Sequence, residues 1–146
     1  MKIHPIETIA ELVKGKVVHC HGCLDLPHVG HFLHLEAAKA MGDVLVVTVT
    51  SDRYVNKGHG RPIFTAEERA LAISKLECVD YVCINDAPDA CEAIKILQPD
   101  LYVKGVDYKD AECEEFEAVR LMGGQVVFTD TPKYSTTEII EKCKLV

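Results

Sequence analysis

Positive charge is scarce in this chain of 146 residues, in which 16 basic side chains stand against 23 acidic ones and the formal net charge is −7. An acidic balance argues against sequence-independent binding of nucleic acid or of an anionic membrane surface. A polyanionic ligand would therefore need a pocket with local positive charge. Because no repeat, linker-like stretch or charge block divides the chain, we expect one domain over residues 1–146.

Long hydrophobic runs are also missing, although 48% of the residues are hydrophobic. No run approaches the roughly 20 residues that span a bilayer, and the N-terminus does not resemble a signal peptide. The seven cysteines are an odd number scattered through apparent core segments, which argues against the disulfide framework of a secreted protein. We therefore expect a cytoplasmic protein that does not bind membranes.

Short β-rich segments alternate along the chain with segments of helical periodicity. Five mostly apolar runs are predicted strands, at residues 16–20, 44–50, 79–84, 101–104 and 125–129. Helices are predicted near residues 31–41, 66–76, 88–97 and 112–122, with one more before the first strand and one after the last. Strict alternation requires parallel pairing through right-handed crossovers, so we expect an α/β sheet covered by helices on both faces.

Three residues mark where helices should begin. Thr65 and Ser135 each stand three residues before a glutamate, which is the spacing of a capping box. Pro88 suits a first helical turn, because its missing N–H has no partner there in any case. Each of these residues predicts a change from loop to helix.

The segments that follow the first and fourth strands are chemically unusual. Ligands of parallel sheets bind beyond the carboxyl ends of the strands, where the strand order reverses. The loop after the first strand carries His28 and His31, with Gly30 between them at the expected start of a helix. Helix N-termini attract phosphates, imidazoles can add hydrogen bonds, and Gly22 and Gly30 let backbone approach a ligand closely. This pattern is typical of phosphate transfer, whereas the glycine fingerprints of dinucleotide-binding and Walker-type proteins are absent.

A small zinc or thiol redox module is the alternative from another class. Cys20 and Cys23 have the spacing of a redox pair, and with His28, His31 and His34 they carry the groups that zinc prefers. However, the helix that a redox motif requires does not begin at Cys23, and no second close pair of zinc-binding residues follows downstream. The remaining histidines and cysteines are expected to be surface or core residues, namely His4, His34, His59, Cys78, Cys83, Cys91, Cys113 and Cys143.

Residues 22–31 resemble the Gly-x-Phe-Asp-x-x-His-x-Gly-His signature of the cytidylyltransferase-like nucleotidyltransferase superfamily, with Leu24 in place of phenylalanine. Further similar segments follow in order over nearly the whole chain, namely Lys57-Gly58 with Arg61-Pro62, Glu68-Arg69, 103–108 and 135–137. The similarity is greatest to the adenylyltransferase domain of bifunctional heptose-phosphate kinase/adenylyltransferases, followed by glycerol 3-phosphate cytidylyltransferase. The resemblance implies a Rossmann-like, doubly wound five-stranded parallel sheet in three α/β/α layers.

The resemblance also implies roles for individual residues. Nucleotide binding is expected of Gly22, Cys23, Leu24, His28, Gly30, His31, Lys57, Lys104, Gly105, Asp107, Ser135, Thr136 and Thr137. Among these, His28, His31 and Lys57 are the expected catalytic residues, because they would stabilise the phosphoryl group in transfer and the departing pyrophosphate. Acceptor binding is assigned to Asp25, Arg61 and Arg69. Two of these residues have an alternative: Asp25 would orient its loop, and Arg69 would lie on the exposed face of a helix.

The activity that the resemblance implies is transfer of a nucleoside monophosphate from its triphosphate to a phosphorylated acceptor, with release of pyrophosphate. ATP and a sugar 1-phosphate of the heptose type are favoured; CTP with glycerol 3-phosphate or another phosphorylated alcohol is the alternative. Asp130 stands where the glycerol-phosphate enzymes carry an arginine, and residues 85–89 lack their acceptor-binding lysine. Mg²⁺ is expected to accompany the triphosphate without protein ligands, and the family suggests a homodimer.

Overall fold

The computed structural model describes residues 1–146 and contains five strands and six α-helices. The strands are β1 (Val17–Gly22), β2 (Val44–Thr50), β3 (Tyr81–Asn85), β4 (Leu101–Gly105) and β5 (Gln125–Thr129). The helices are α1 (Ile6–Leu12), α2 (Val29–Lys39), α3 (Ala66–Ser74), α4 (Cys91–Leu97), α5 (Glu114–Leu121) and α6 (Thr136–Cys143). All five strands are parallel in the order β3-β2-β1-β4-β5, so the predicted doubly wound sheet is confirmed.

The sheet separates two hydrophobic layers because successive residues of a strand point to opposite faces. Val18 and Cys20 of β1 pack with residues of α2 and α3 on one face. Val17 lies on the other face with residues of α1 and α4, and Tyr102 of β4 packs there against α5. The α/β/α layering expected from strict alternation is therefore present.

Two of the three predicted helix starts are confirmed. Thr65 and Glu68 form a reciprocal capping box at α3, and Ser135 accepts a hydrogen bond from the Glu138 N–H at α6, without the reciprocal bond. The helix start expected at Pro88 is wrong, because α4 begins at Cys91. The Asp89 carboxylate accepts the Cys91 N–H at 2.9 Å, so a carboxylate side chain supports this helix start.

The strand order reverses between β1 and β4, and the two strands separate there. They pair at only two positions, Val18 with Leu101 and His19 with Tyr102, whereas β1 and β2 pair over six. Beyond His19 the carboxyl ends of β1 and β4 therefore enclose a crevice, which the Lys104 ammonium group spans by donating to the His21 carbonyl at 3.2 Å. Among the helices, none has the length and apolar character needed to cross a membrane.

Candidate active site

The crevice opens into a cavity of about 370 Å³ lined by 23 residues, only four of them hydrophobic. All thirteen residues that the sequence assigned to the nucleotide line it, as do Asp25 and Arg61. The cavity is also lined by residues for which the sequence predicted no binding role, namely His21, His34, Tyr108, Thr129, Thr131, Pro132, Lys133 and Tyr134. The site thus gathers segments that lie more than 100 residues apart in the chain.

The loop from β1 to α2 has an unusual backbone conformation. Leu24 and Leu26 have φ angles of 54° and 50°, in the left-handed region that costs a non-glycine residue about 1–3 kcal/mol. Such a conformation persists only where surrounding contacts hold it. Two buried charged side chains, Asp25 and Arg69, supply those contacts.

Asp25 lines the cavity, but its carboxylate is bonded to the neighbouring loop. Its fully buried carboxylate accepts hydrogen bonds from the Ile63 N–H at 2.8 Å, the Phe64 N–H at 3.1 Å and the Arg61 Nε–H at 2.9 Å. Burial alone would raise the pKa of this carboxyl, but the three donors outweigh burial and hold the pKa below its usual value. These contacts support the alternative role of Asp25, which is to orient its loop, and not direct binding of the acceptor by its carboxylate.

Arg69 does not line the cavity, so its assignment to the acceptor is wrong, and so is the alternative of an exposed helix face. The residue is 1% exposed. Its guanidinium donates to the carbonyls of Phe64, Cys23 and Thr50 and to the Asp52 carboxylate, at 2.7–2.9 Å. Arg69 thus ties the Cys23–Leu24 backbone to the end of β2.

His28 and His31 form a reciprocal cap at the N-terminus of α2. The His28 Nδ1 accepts the Gly30 N–H at 3.1 Å, and the His31 Nδ1 accepts the His28 N–H at 3.2 Å. Because an Nδ1 that accepts carries no proton, both neutral rings have their hydrogen on Nε2. The His28 Nε2 is buried without a partner, which identifies a donor that only a ligand or water can satisfy.

The protonation state of these rings follows from their surroundings. Burial, together with His28, His34 and Lys57, lowers the pKa of His31 to about 4. Burial also lowers the pKa of His28. Both rings are therefore neutral hydrogen-bond donors near pH 7 in the unliganded protein.

Position 30 requires glycine because a side chain there would be too close to His28 and Tyr134. A Cβ at this position would lie 3.0 Å from the His28 Cε1 and 3.0 Å from Tyr134 Cδ2. Few real Cβ atoms make contacts this short, so any larger residue would displace the His28 ring or Tyr134. The glycine lets the histidine ring lie flat against the first turn of α2.

The cavity is positively charged although the chain is acidic. Four cationic side chains line it, and its two carboxylates are already paired, Asp25 with Arg61 and Asp107 with Lys133. Lys57 and Lys104 have no carboxylate partner, so the cavity carries a net positive charge of two lysines. The requirement for local positive charge, set by the overall charge of −7, is met here.

A second helix N-terminus meets the same cavity. Ser135 caps α6 through the Glu138 N–H, while the Thr136 hydroxyl donates to the Asp25 carbonyl at 3.1 Å. Thr137 follows in the first turn and is exposed. The partial positive charges of α2 and α6 therefore point toward one ligand volume.

His21 and His34 line the cavity, although the sequence interpretation gave His21 no role and treated His34 as a surface or core residue or, in the alternative, as a zinc ligand. His21 is the fifth residue of β1, and His34 lies one turn beyond His31 on α2. The Thr48 hydroxyl lies between two rings, 2.8 Å from the His21 Nδ1 and 2.7 Å from the His19 Nε2. Position at the carboxyl end of a central strand, and the i, i+3 spacing from His31, are the signals that point to these residues.

The structure does not assemble the zinc or redox module. Cys20 is buried in the core, where burial raises its thiol pKa to about 12, so it is not a reactive thiolate. All seven cysteines are free. The only cluster with metal-ligand spacing consists of Asp89, Cys91 and Glu114, and it does not line the cavity.

Comparison with known proteins agrees with this geometry. The model of the family described as "Cytidylyltransferase-like" matches residues 19–142, which include every segment of the cavity. The chain therefore belongs to the cytidylyltransferase-like family and is a nucleotidyltransferase.

Among curated proteins, the chain is similar to two described as bifunctional protein HldE. Identity is 40% over 146 residues with the Helicobacter pylori (strain P12) protein and 40% over 152 residues with that of Geotalea uraniireducens (strain Rf4), in each case across 98% of this chain. The chain spans 31% of the length of these relatives.

Solved structures show the same fold. A lipopolysaccharide core biosynthesis protein from Thermoplasma volcanium superimposes with a TM-score of 0.70 at 28% identity, covering 82% of this chain and all of that one. Pantoate-beta-alanine ligase from Francisella tularensis gives a TM-score of 0.62 over 99% of this chain and 77% of that one. Its identity of 12% supports similarity of fold alone.

Proposed function

We propose that this chain transfers AMP from ATP to a heptose 1-phosphate or a similar sugar 1-phosphate, with release of pyrophosphate. The observation that carries the proposal is the pair of Nε2–H donors of His28 and His31, held at a helix N-terminus in a positively charged cavity. The choice of ATP and a sugar 1-phosphate is supported by the similarity to proteins described as bifunctional protein HldE.

The two ends of the triphosphate would bind different groups. His28 and His31 would donate to oxygens of the α-phosphate, next to the N–H groups of the first turn of α2. Lys57 and the N-terminus of α6, with Ser135 and Thr137, would hold the β and γ phosphates. This division places neutral donors where charge develops and cationic or hydroxyl groups where pyrophosphate departs.

The reaction would be an in-line displacement at the α-phosphorus. An oxygen of the acceptor phosphate forms the new P–O bond as the bond to pyrophosphate breaks. The acceptor phosphate is already ionised at neutral pH, so no general base is needed and positioning of two anions is the main task. The low pKa of His31 agrees with this role, because the ring has to donate a hydrogen bond and need not exchange a proton.

Arg61 is the acceptor-binding residue that the geometry favours. Its Nε donates to Asp25, which orients the guanidinium, and no residue of the chain binds its two Nη groups. An oriented guanidinium can bind two oxygens of a phosphate at once. We therefore assign the acceptor phosphate to Arg61, with Asp25 as its positioning residue.

We propose that Mg²⁺ enters as part of the nucleotide substrate. The two cavity carboxylates are both paired with cations, so the cavity contains no free carboxylate to hold a divalent ion. Phosphate oxygens and water are ligands that Mg²⁺ readily takes. The donor set of the cavity suits the anion of the complex rather than its metal.

The segment after β3 bears on the alternative, which is a CTP-dependent enzyme acting on glycerol 3-phosphate. Asp86 accepts hydrogen bonds from Ser51 and, at both oxygens, from Arg53. This segment carries no lysine and does not line the cavity, so it offers no group there for the phosphate of glycerol 3-phosphate. We also propose a homodimer, which the family resemblance suggests, and a cytoplasmic location, which the odd number of scattered cysteines suggests.

Pyrophosphate release tests the proposal directly. The protein is incubated with ATP or CTP, Mg²⁺, and either heptose 1-phosphate or glycerol 3-phosphate, with the His31→Ala variant as the control for contaminating activity. We expect release with ATP and the sugar phosphate, and saturating ATP at 100 times Kd should stabilise the fold by about 2.7 kcal/mol. A preference for CTP would favour the alternative, and no release with any pair would contradict the assignment.

A further inference from the structure

A third histidine of α2, His34, also lines the nucleotide cavity. The His34 Nδ1 lies 2.6 Å from the Thr129 hydroxyl, at the last residue of β5. The His34 Nε2 has no partner in the chain and is not sealed from the cavity. This ring atom is therefore available to a ligand.

The Thr129 hydroxyl has a second possible acceptor, and this contact favours one tautomer of the His34 ring. The Thr129 hydroxyl also lies 3.5 Å from the Lys104 carbonyl, which can only accept. When the hydroxyl donates to that carbonyl, the His34 Nδ1–H must donate to the hydroxyl, and Nε2 carries a lone pair. Burial, with Lys104 and Lys133 nearby, lowers the pKa of His34 and keeps the ring neutral, although Asp107 opposes this.

His34 thus has the opposite polarity to its neighbour. His31 offers an N–H, which suits a phosphate oxygen, whereas His34 offers an acceptor, which a phosphate oxygen would repel. His34 lies next to His31 and close to the ends of β4 and β5, where Lys104 and Tyr108 also line the cavity. With the α-phosphate at His31 and the β and γ phosphates toward Lys57 and α6, as in the proposed function, the nucleoside would lie on this side of the cavity.

We propose that His34, oriented by Thr129, contributes to nucleotide binding by accepting a hydrogen bond from the nucleoside of the bound triphosphate. The donor is a ribose hydroxyl or the exocyclic amino group of the base. This inference rests on the proposed function and assigns a role within the same site. Thr129 is a positioning residue, because it acts on the nucleoside only through the ring.

The experiment compares ATP with inorganic tripolyphosphate, which shares the phosphates and lacks the nucleoside. Dissociation constants are measured calorimetrically for the wild type, His34→Leu, Thr129→Val and Thr129→Ser. Loss of one neutral hydrogen bond should raise the ATP Kd of His34→Leu about threefold to tenfold. Tripolyphosphate should bind this variant as it binds the wild type. Thr129→Val should give a smaller loss for ATP, and Thr129→Ser should restore the wild-type value.

Three analogues identify the donor. 2′-Deoxy-ATP and 3′-deoxy-ATP each lack one ribose hydroxyl, and inosine triphosphate lacks the amino group. The wild type should bind one of them more weakly than ATP, and His34→Leu should not distinguish that analogue from ATP.

The other outcomes would contradict either this inference or the proposed function. Equal weakening of ATP and tripolyphosphate in His34→Leu would show a general structural role and overturn the inference. So would wild-type ATP affinity in this variant, or a wild type that binds all four nucleotides equally. If His34→Leu does not fold, the Thr129→Val and Thr129→Ser pair decides by the same comparison. A wild type that binds neither ATP nor tripolyphosphate would instead contradict the proposed function.

Discussion

Replacement of Arg69 by methionine should destabilise the fold more than any other single change of a charged residue that we consider. Methionine keeps the aliphatic part of the side chain and removes the guanidinium. Four hydrogen bonds are lost, to the carbonyls of Phe64, Cys23 and Thr50 and to Asp52. Because the guanidinium is fully buried, water cannot replace it without rearrangement of the loops.

The expected magnitude follows from these contacts. The half-exposed Asp52 carboxylate can be rehydrated, so the cost comes mainly from the Cys23 and Thr50 carbonyls, which lose their donor at about 1–3 kcal/mol each. A total of about 2–6 kcal/mol lowers the melting temperature of a domain of this size by about 4–24 °C. Urea unfolding followed by circular dichroism measures the free energy. The ATP Kd should also rise at temperatures where the variant is folded, because the backbone between Cys23 and the left-handed Leu24 loses its anchor.

Arg53→Met is the matched control. Arg53 makes a bidentate pair with Asp86, but its side chain is 68% exposed and solvent screens the interaction. We expect no resolvable change in its unfolding curve. If Arg69→Met and Arg53→Met unfolded at the same urea concentration, the assignment of Arg69 as the residue that holds the loops would be refuted.

Three further changes test the site and its surroundings. His31→Ala should lower turnover roughly 10²- to 10³-fold while circular dichroism remains unchanged, because one transition-state donor is lost; near-normal turnover would refute the assigned role. Gly30→Ala should lower turnover about tenfold or more by displacing the His28 ring, whereas its unfolding free energy should change by less than about 1 kcal/mol, because the gain in helix propensity offsets the crowding. Burial lowers the pKa of His19, and burial with Lys104 lowers the pKa of His21 from 6.5 to about 4. Below pH 6.5 these two rings therefore bind protons in the unfolded chain but not in the folded chain. Urea titrations should show that stability is full above about pH 6.5 and falls toward pH 4, with a weaker dependence in His21→Asn; greater stability on acidification would contradict this sign.

The sequence alone predicted the class of fold from local patterns, and its resemblance to a known family predicted most of the cavity lining. Alternation of short apolar runs with helical segments requires a parallel sheet, and a parallel sheet places its ligand at the switch point. The histidines at the start of α2 lie within one segment, so their spacing already indicated two rings at one helix N-terminus. Pro88 shows the limit of such patterns, because α4 begins three residues later, at Cys91, whose N–H donates to the Asp89 carboxylate.

Only the tertiary structure decided what the charged residues of the neighbouring loops do. Arg69 and Arg61 are both arginines near the same predicted loop, and no local pattern tells which one is buried. Packing places Arg69 among three carbonyls from different segments, whereas Arg61 lines the cavity and has no hydrogen-bond partner at its Nη groups. The polarity of His31 and His34 likewise depends on partners that folding supplies, a neighbouring N–H for one ring and the Thr129 hydroxyl, 95 residues away, for the other. Hydrogen-bond partners distant in the chain determine which atom of a side chain a ligand meets, and sequence spacing carries no information about them.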